Sequence, residues 1–348
     1  MIKGFQINHF RGLQNLAVDN LSNINLFVGA NNSGKTSVLE ALRLLAFSGE
    51  PGQLPLVARQ RADRTSKAAI RKSMVNHTLS MFQKIAGGDG GPVYRISLGV
   101  DMWDRHCAYT VDGELFETAD PEGQPSSALR LDLESVLDGE KPEVHTVTIT
   151  EESTFVYDRR PIFNSCFLGS TTNYYVTCAA LLSSYIIREG KQDLLHILRT
   201  FDPAIDDISI VGEDIYLHNT RSGNLPLFAY GSGMQKAVCL TAAIAYCKNG
   251  AILADEIDNA IHVSAFEDVF RWFLNACLRW NVQAFITTHS AEAIDAILEI
   301  AHEEHSQEDL LRVITLRKDP KTNETRKKVR SGEEAYADRA SFQMELRV

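Results

Sequence analysis

The sequence lacks the features that mark disulfide-rich, zinc-binding or membrane-spanning chains. Its six cysteines are scattered over 348 residues without a Cys-x-x-Cys pair, which argues against a disulfide framework and against a zinc site. No apolar run approaches the roughly 20 residues that a transmembrane helix needs, and the N-terminal residues show no signal-peptide layout. We therefore expect a cytoplasmic protein with free thiols and no membrane partner.

The chain also lacks an excess of positive charge. Its formal net charge is −10, so general attraction to nucleic acid is absent and any contact with DNA must use a local basic patch. Lys and Arg are concentrated in residues 59–72, where we favour a solvent-exposed helix face as the explanation, and near the C-terminus. The basic residues of the C-terminal segment are Arg312, Arg317, Lys318, Lys321, Arg326, Lys327, Lys328 and Arg330.

Hydrophobic periodicity divides the chain into helical and extended segments. Residues 1–28 are typical of two strands, residues 57–86 of a helix and residues 93–163 of an antiparallel β region. Within that region the sequence Val-Asp-Gly-Glu at Val111–Glu114 predicts a hairpin turn, and residues 154–157 predict a strand. The later elements predicted by the same patterns are a helix at 174–201 and a second hairpin at 208–218.

What the sequence does contain is a glycine-bounded loop between two apolar segments. Gly29–Thr36 matches G-x-x-x-x-G-K-[ST] at every fixed position, after an apolar run at 24–28 and before a helical pattern at 37–46. The backbone N–H groups of such a loop and the N-terminus of the following helix bind phosphate. Lys35 can reach the β- and γ-phosphates, and the Thr36 hydroxyl can ligate Mg²⁺. The residues that we expect around the phosphates are Gly29, Ala30, Asn31, Asn32, Ser33, Gly34, Lys35, Thr36 and Ser37.

A second anion-binding segment is predicted before an apolar helix at 237–246. Small residues precede this helix, so the Ser232 hydroxyl can donate to a phosphate and Gly233 lets a phosphate approach the backbone. The alternative is an N-capped core helix without a ligand.

Two later strands end in polar residues that suit the same chemistry. The apolar strand at 251–254 is followed by Asp255 and Glu256, which should face opposite ways and have different roles. Asp255 would hold Mg²⁺ and Glu256 would act as general base toward the attacking water. The strand at 283–287 is followed by His289, which could hydrogen-bond the γ-phosphate or the water.

Together these four segments resemble the ABC-type ATPases of the RecF, SMC and OLD branch. Their order and spacing match the branch, although Met234 replaces a glycine of the wider signature motif. Phe10-Arg11-Gly12 also looks like this branch, and the resemblance implies that Arg11 approaches the nucleotide. The corresponding motifs are Walker A at Gly29–Thr36, the signature at Ser232–Gln235, Walker B at Asp255-Glu256, the D-loop at Asp258-Asn259 and the switch histidine at His289.

The resemblance implies an ATP- and Mg²⁺-dependent homodimer with ATP at its interface. The signature residues Ser232, Gly233 and Gln235 of one subunit would close over the nucleotide bound by Walker A of the other. Asp258 would also contact the nucleotide. The catalytic residues implied by the family are Lys35, Glu256 and His289, and the metal ligands are Thr36 and Asp255.

The implied fold is α/β, a P-loop NTPase of the ABC ATPase type with a mixed central sheet, an antiparallel β region and a helical insertion. We expect an N-terminal ATPase segment at 1–56, the inserted helical and β region at 57–225 and a C-terminal ATPase segment at 226–348. No Q-loop glutamine is assigned, and the junction between the lobes is expected at 167–172.

Three roles fit such an ATPase. The first is an enzyme that acts on DNA ends or repair intermediates, supported by the family and the basic segments. The second is an ATP-gated scaffold that restrains a separate effector, such as a Toprim-type nuclease, in prokaryotic anti-phage defence. We favour the second because only about sixty residues follow His289, too few for a Toprim domain. The third, the motor subunit of a transporter, is disfavoured by the Arg11 segment.

Overall fold

The computed structural model of the protein describes most of the chain. Several predicted features lie outside the described residues, namely most of the basic segment at 59–72, the strand at 154–157 and the end of the junction at 167–172. The described residues are 1–60, 74–86, 92–119, 122–153, 161–169, 178–179, 181–183, 186, 191–212, 214–305, 309–342 and 346.

The described residues form sixteen strands and eight α-helices. In order they are β1 (Ile2–Phe10), β2 (Leu13–Val18), β3 (Ile24–Val28), α1 (Lys35–Ala46), α2 (Gln53–Gln60), α3 (Met74–Leu79), β4 (Gln83–Ala86), β5 (Pro92–Met102), β6 (His106–Ala119), β7 (Pro125–Leu137), β8 (Glu143–Ile149), β9 (Ser165–Leu168), α4 (Gln192–Phe201), β10 (Ile205–Val211), β11 (Asp214–Asn219), β12 (Gly223–Pro226), α5 (Ser232–Tyr246), β13 (Ala251–Ala254), α6 (Phe266–Arg279), β14 (Gln283–Thr287), α7 (Ala291–His305), β15 (Leu311–Lys318), β16 (Thr325–Ser331) and α8 (Gly332–Phe342).

The chain forms two compact units, the first of which comprises Met1–Leu21, Asn31–Phe163 and Leu316–Lys327. Its framework is a seven-stranded antiparallel sheet with the order β2-β1-β5-β6-β7-β8, in which β4 also pairs with β5. Along β6 the side chains of Cys107 and Tyr109 are buried while their neighbours are less so, as in a strand with one covered face. This sheet confirms the antiparallel region predicted from the period-two pattern.

The hairpin predicted at Val111–Glu114 is wrong, because β6 continues through these residues to Ala119. Gly113 pairs with Tyr94 on β5 and with Leu131 on β7. A Cβ atom at Gly113 would lie 3.4 Å from side-chain atoms of both neighbours. The glycine therefore permits close packing within a central strand, and the Asp-Gly pair is not a turn.

Two further predictions for this unit need correction. Residues 1–28 contain three strands and not two, because a turn at Arg11, with φ of 51°, lets β2 return antiparallel to β1. The helix predicted at 57–86 is also interrupted. Residues 83–86 form β4, in which Ile85 pairs with Val93 of β5, so the local helical spacing is overridden by sheet pairing.

The second unit comprises Ser22–Ala30, Asn164–Thr315 and Lys328–Val348. Its central sheet has the order β16-β15-β3-β14-β13-β9, and β15, β3, β14, β13 and β9 run parallel. Strands β3, β13 and β14 are buried along their whole length, as parallel strands covered on both faces should be. Apolar side chains of α5, α6 and α7 contribute to the core of this unit.

The remaining elements of the second unit agree with the sequence patterns. The hairpin predicted at 208–218 is formed by β10 and β11, and residues 192–201 of the predicted helix form α4. The α/β class with a mixed sheet and a separate antiparallel region is confirmed. Among the described helices, none has the length and apolarity to cross a bilayer.

Candidate functional site

Three neighbouring parallel strands of the second unit end at one edge of its central sheet. Ala254 of β13 pairs with Ile286 of β14, and Thr287 of β14 pairs with Phe27 of β3, so the strands finish at nearly the same level. The next residues along the chain are the acidic pair, the switch histidine and the first residues of the phosphate loop. Open α/β sheets bind ligands at this carboxyl edge.

The Asp255 carboxylate is held at this edge by a threonine of the neighbouring strand. The Thr287 hydroxyl donates to Asp255 Oδ1 over 2.7 Å and accepts from the Glu256 backbone N–H over 2.8 Å. Asp255 is 5% exposed and its own N–H donates to the Leu168 carbonyl over 2.8 Å. One hydroxyl therefore fixes the carboxylate of Asp255 and the backbone of Glu256.

Glu256 and His289 lie side by side at this edge of the sheet. Glu256 Oε1 lies 3.9 Å from His289 Nε2, and more than a third of each side chain is exposed. The Glu256 backbone has φ of 49°, a left-handed conformation that is sparsely populated outside glycine and common at functional sites. A solvent-accessible carboxylate beside an imidazole is an arrangement that can orient and deprotonate water.

The signature segment forms the N-terminus of helix α5. Ser232 is its first residue, is exposed and donates its hydroxyl to the Ala260 carbonyl over 3.2 Å. Gly231 at the N-cap supplies no side-chain acceptor, which disfavours the alternative of a side-chain-capped core helix. Gly233 is half-buried, and a Cβ there would lie 3.7 Å from the Ala260 carbonyl oxygen.

Gln235 and Asp258, which are also predicted to contact the nucleotide, form hydrogen bonds within the chain. Gln235 Nε2 donates to the Tyr230 carbonyl over 2.9 Å, which closes the signature loop on itself. Asp258 Oδ1 accepts the Thr288 hydroxyl over 2.5 Å. The D-loop is therefore tied to the residue immediately before His289.

The phosphate loop has the backbone geometry of an anion-binding turn. Gly29, Asn32 and Gly34 have φ values of 147°, 64° and 105°, and α1 begins directly afterwards at Lys35. Left-handed residues in a loop can turn neighbouring backbone N–H groups to one side, as in anion-binding nests. Of the loop residues, Gly29, Ser33, Lys35 and Ser37 are buried, Gly34 and Thr36 are half-buried, and Ala30, Asn31 and Asn32 are exposed.

Ser33 supports the fit of this loop to a polyphosphate. Its carbonyl accepts the Thr325 hydroxyl over 3.3 Å, which fixes the loop backbone. Its own hydroxyl is buried and has no hydrogen-bond partner among the described residues. Because a buried polar group without a partner is costly, a ligand oxygen would satisfy it.

Arg11 makes a buried ion pair that the sequence gives no signal for. Its Nε lies 2.7 Å from Glu40 Oε2, and the two side chains are 10% and 0% exposed. Glu40 is on α1, one turn after the phosphate loop. The Arg11 backbone is fixed as well, since its N–H donates to the Met81 carbonyl and its carbonyl accepts Gln83 Nε2. An approach of Arg11 to a nucleotide stays a prediction.

The predicted magnesium ligands are Thr36 and Asp255. Within the part of the chain that the structure describes, no group of three His, Cys, Asp or Glu side chains could bind a metal. Mg²⁺ in nucleotide sites usually has one or two protein ligands together with phosphate oxygens and water. The assignment of Thr36 and Asp255 as its ligands stays a prediction.

Two ATPase-domain models match separate parts of the chain. Residues 1–79, which contain the phosphate loop, match the model described as "AAA ATPase domain". Residues 170–295, which contain the signature, the acidic pair and His289, match the model described as "AAA domain, putative AbiEii toxin, Type IV TA system".

Individual relatives and a solved structure are similar to the chain at low identity. An ATP/GTP phosphatase of Helicobacter pylori is 22% identical over 87% of this chain and 89% of its own length. The DNA replication and repair protein RecF of Heliobacterium modesticaldum is 44% identical over 48 residues, which are 14% of this chain and 13% of RecF.

The fold is that of an SMC head. A structure of an Smc head bound to the C-winged helix domain of ScpA has a TM-score of 0.54 and 14% identity, over 96% of this chain and 99% of that one. The two models show ATPase domains in the chain, and the Smc head structure shows a similar fold.

Proposed function

We propose that the protein is an ATP-gated dimer that controls a separate effector. One observation carries the proposal: Glu256 and His289 lie 3.9 Å apart beside buried Asp255, at the strand edge from which the phosphate loop begins. This arrangement suits hydrolysis of a phosphoanhydride bond, in which positioning and electrostatics supply most of the catalysis.

Each residue of the site then has a role. Lys35 and the loop amides bind the β- and γ-phosphates, and Thr36 with Asp255 would hold Mg²⁺, which neutralises charge on the phosphate oxygens. Glu256 takes the proton of the attacking water, while His289 donates to the γ-phosphate.

The second subunit completes the site in this proposal. Ser232 is exposed at a helix N-terminus without a side-chain cap, so the first turn of α5 can bind a phosphate of a nucleotide held by another copy. The γ-phosphate joins the subunits, and its loss separates them, as in other γ-phosphate switches. Gly233, Gln235 and Asp258 support this face, and Arg11 contributes from the side of Walker A.

A protein effector is supported more strongly than direct action on DNA. Arg312, Arg326, Lys327 and Arg330 each pair with a carboxylate, so half of the C-terminal basic residues are already neutralised locally. The similar Smc head was solved with a domain of a partner protein bound. We infer that dimerisation presents or releases such a partner, with anti-phage defence as the setting.

The test is ATP-dependent dimerisation of the Glu256→Gln variant. This variant should bind ATP without hydrolysing it, so ATP with Mg²⁺ should shift it from monomer to dimer in size-exclusion chromatography with light scattering. Lys35→Ala is the control and should stay monomeric, because it cannot hold the phosphates. The proposal would be contradicted if Glu256→Gln turned over ATP at the parent rate, or if its molecular mass by light scattering did not change when ATP is added.

Binding to duplex DNA at low and moderate salt tests the alternative role. Phosphate contacts release counterions, so a protein that acts directly on DNA should bind it and lose affinity steeply as salt rises. We expect no such binding by the dimer, and strong salt-dependent binding would replace the effector role with a DNA role.

A further inference from the structure

Helix α5 contains a lysine that is buried among apolar residues. Lys236 is 2% exposed, and the four residues after it, Ala237–Leu240, are all buried. It follows Ser232 by four residues, so both side chains lie on the same face of the helix. A charged ammonium is costly to bury unless it is paired, which makes its partners informative.

The partners of Lys236 are backbone carbonyls of the acidic turn. Its Nζ donates to the Glu256 carbonyl over 2.8 Å and to the Asn259 carbonyl over 2.6 Å. Burial lowers the pKa of Lys236 to about 8, and the nearby carboxylates of Asp258 and Glu256 oppose that shift. The ammonium therefore lies within the negative turn that carries the predicted general base.

This turn adopts conformations that need outside support. Glu256 and Ala260 have φ values of 49° and 67°, and residues other than glycine lose stability in the left-handed region. Lys236 fixes the turn at Glu256 and Asn259, and the Ser232 hydroxyl fixes it at Ala260. Three side-chain hydrogen bonds thus join the first turns of α5 to residues 256–260.

We propose that Lys236 is a positioning residue that holds the Glu256 backbone in its hydrolytic geometry and couples it to the signature helix. The inference rests on the proposed function. In the dimer, the signature of α5 meets the nucleotide of the other subunit while Lys236 acts on Glu256 of its own chain. Closure around one nucleotide is thereby transmitted to the general base of the neighbouring site.

The test compares Lys236→Met with Thr241→Val. Methionine keeps the unbranched apolar stem and removes the ammonium. Thr241 is a matched control because it is buried on the same helix, but its hydroxyl donates to the Ala237 carbonyl of α5 and not to the acidic turn. We expect Lys236→Met to lower kcat by about 10- to 100-fold, as the loss of an orienting partner does. Its Kd for ATP should stay within about threefold of the parent, since the loop that binds phosphate is unchanged.

Two further measurements separate positioning from a structural role. Lys236→Arg keeps the charge and should retain more of the parent kcat than Lys236→Met, and it serves as the test variant if Lys236→Met does not fold. In the Glu256→Asp background, which keeps a carboxylate and therefore some turnover, Lys236→Met should cause little additional loss of kcat, because residues that act as a unit are not additive.

The positioning role of Lys236 is overturned if Lys236→Met turns over ATP within about twofold of the parent or if Thr241→Val loses kcat equally. It is also overturned if the losses caused by Lys236→Met and Glu256→Asp add in the variant that carries both. Failure of the proposed function would give a different result, because the parent chain itself would then neither hydrolyse ATP nor dimerise with it.

Discussion

Thr287 is the residue on which the geometry of both Walker B acids depends. Its hydroxyl donates to Asp255 and accepts from the Glu256 N–H, and it is fully buried. Because this buried hydroxyl donates one hydrogen bond and accepts another, the side chain of Thr287 is restricted to one rotamer. The position of the acids therefore depends on a side chain of the adjacent strand.

Replacing Thr287 by Val should impair hydrolysis more than nucleotide binding. Valine is similar in shape and lacks the hydroxyl, so we expect kcat to fall by about 10- to 100-fold, as for other partners that orient a ligand. Thr287→Ser keeps the hydroxyl and is the control. Steady-state ATPase assays on both variants test this prediction. If Thr287→Val hydrolysed ATP at the parent rate, the Thr287 hydroxyl would not be needed to position the acids.

The Arg11–Glu40 pair gives a prediction about stability. Removing one partner of a buried ion pair leaves the other charge uncompensated, which costs about 3–5 kcal/mol. We expect Arg11→Met and Glu40→Met each to lower the free energy of unfolding by this amount, measured with urea. The double variant should lose less than the sum, because two apolar side chains leave no buried charge. Single variants within about 1 kcal/mol of the parent would show that the pair contributes little.

Among single residues, those of the phosphate loop could be predicted because the motif specifies its own spacing. The roles of Thr287 and Lys236 could not, since each depends on a contact between elements that are distant in sequence. The Thr-Thr pair immediately before His289, at the end of an apolar strand, was the available signal. Glu40 gave none, because it reads as an ordinary helix residue.

At the scale of elements, the phosphate loop and α1 are shaped by Gly34. Its φ is 105°, and a Cβ there would lie 2.5 Å from Leu13 Cδ2. Any other residue thus meets two penalties, a left-handed backbone and a collision with a buried side chain of β2.

We expect Gly34→Ala to lose ATP affinity by at least about tenfold, because the loop can no longer hold its N–H groups in place. Gly139→Ala is the matched control. Its φ is 82° with nothing within 4 Å of the added Cβ, so it shares the backbone cost without the collision. Titration with a fluorescent ATP analogue measures both variants. If they bind ATP equally well, close packing at Gly34 is irrelevant to the site.

Strands and helices were predicted correctly where a local sequence pattern determines them, and incorrectly where pairing with neighbouring strands determines them. The strand before the phosphate loop, the helix after it and the β10–β11 hairpin were found as expected. The Asp-Gly pair in β6 is a strong turn signal locally, yet strands on both sides keep it extended. Similarly, Gln83–Ala86 has helical spacing but pairs with β5.

At the scale of the whole molecule, the chain passes five times between its two compact units. Each unit is assembled from three separate stretches, an organisation that local composition does not signal. The segments 1–56, 57–225 and 226–348 stay a prediction. The free thiols, in contrast, were predicted from the scattered spacing and apolar surroundings of the cysteines, and all six cysteines are buried and free.

The native protein should therefore react slowly with thiol reagents. Burial raises the pKa of the Cys107, Cys178, Cys247 and Cys277 thiols, so little thiolate is present at neutral pH. With 5,5′-dithiobis(2-nitrobenzoate) at pH 8, we expect negligible labelling of the folded chain and release of six equivalents after denaturation in guanidinium chloride. Rapid labelling of any native thiol would contradict this burial.

The central claim is that each ATP site combines Walker A of one copy with the signature of another. Mixing Lys35→Ala with Ser232→Arg tests it most directly. Neither variant alone can form a complete site, but a mixed dimer contains one site with both motifs intact. We predict that each variant alone is inactive and that an equal mixture recovers activity up to about half of the parent ATPase rate, since a mixed dimer has one working site of two. A mixture as inactive as its components, under conditions where the parent hydrolyses ATP, would contradict the account.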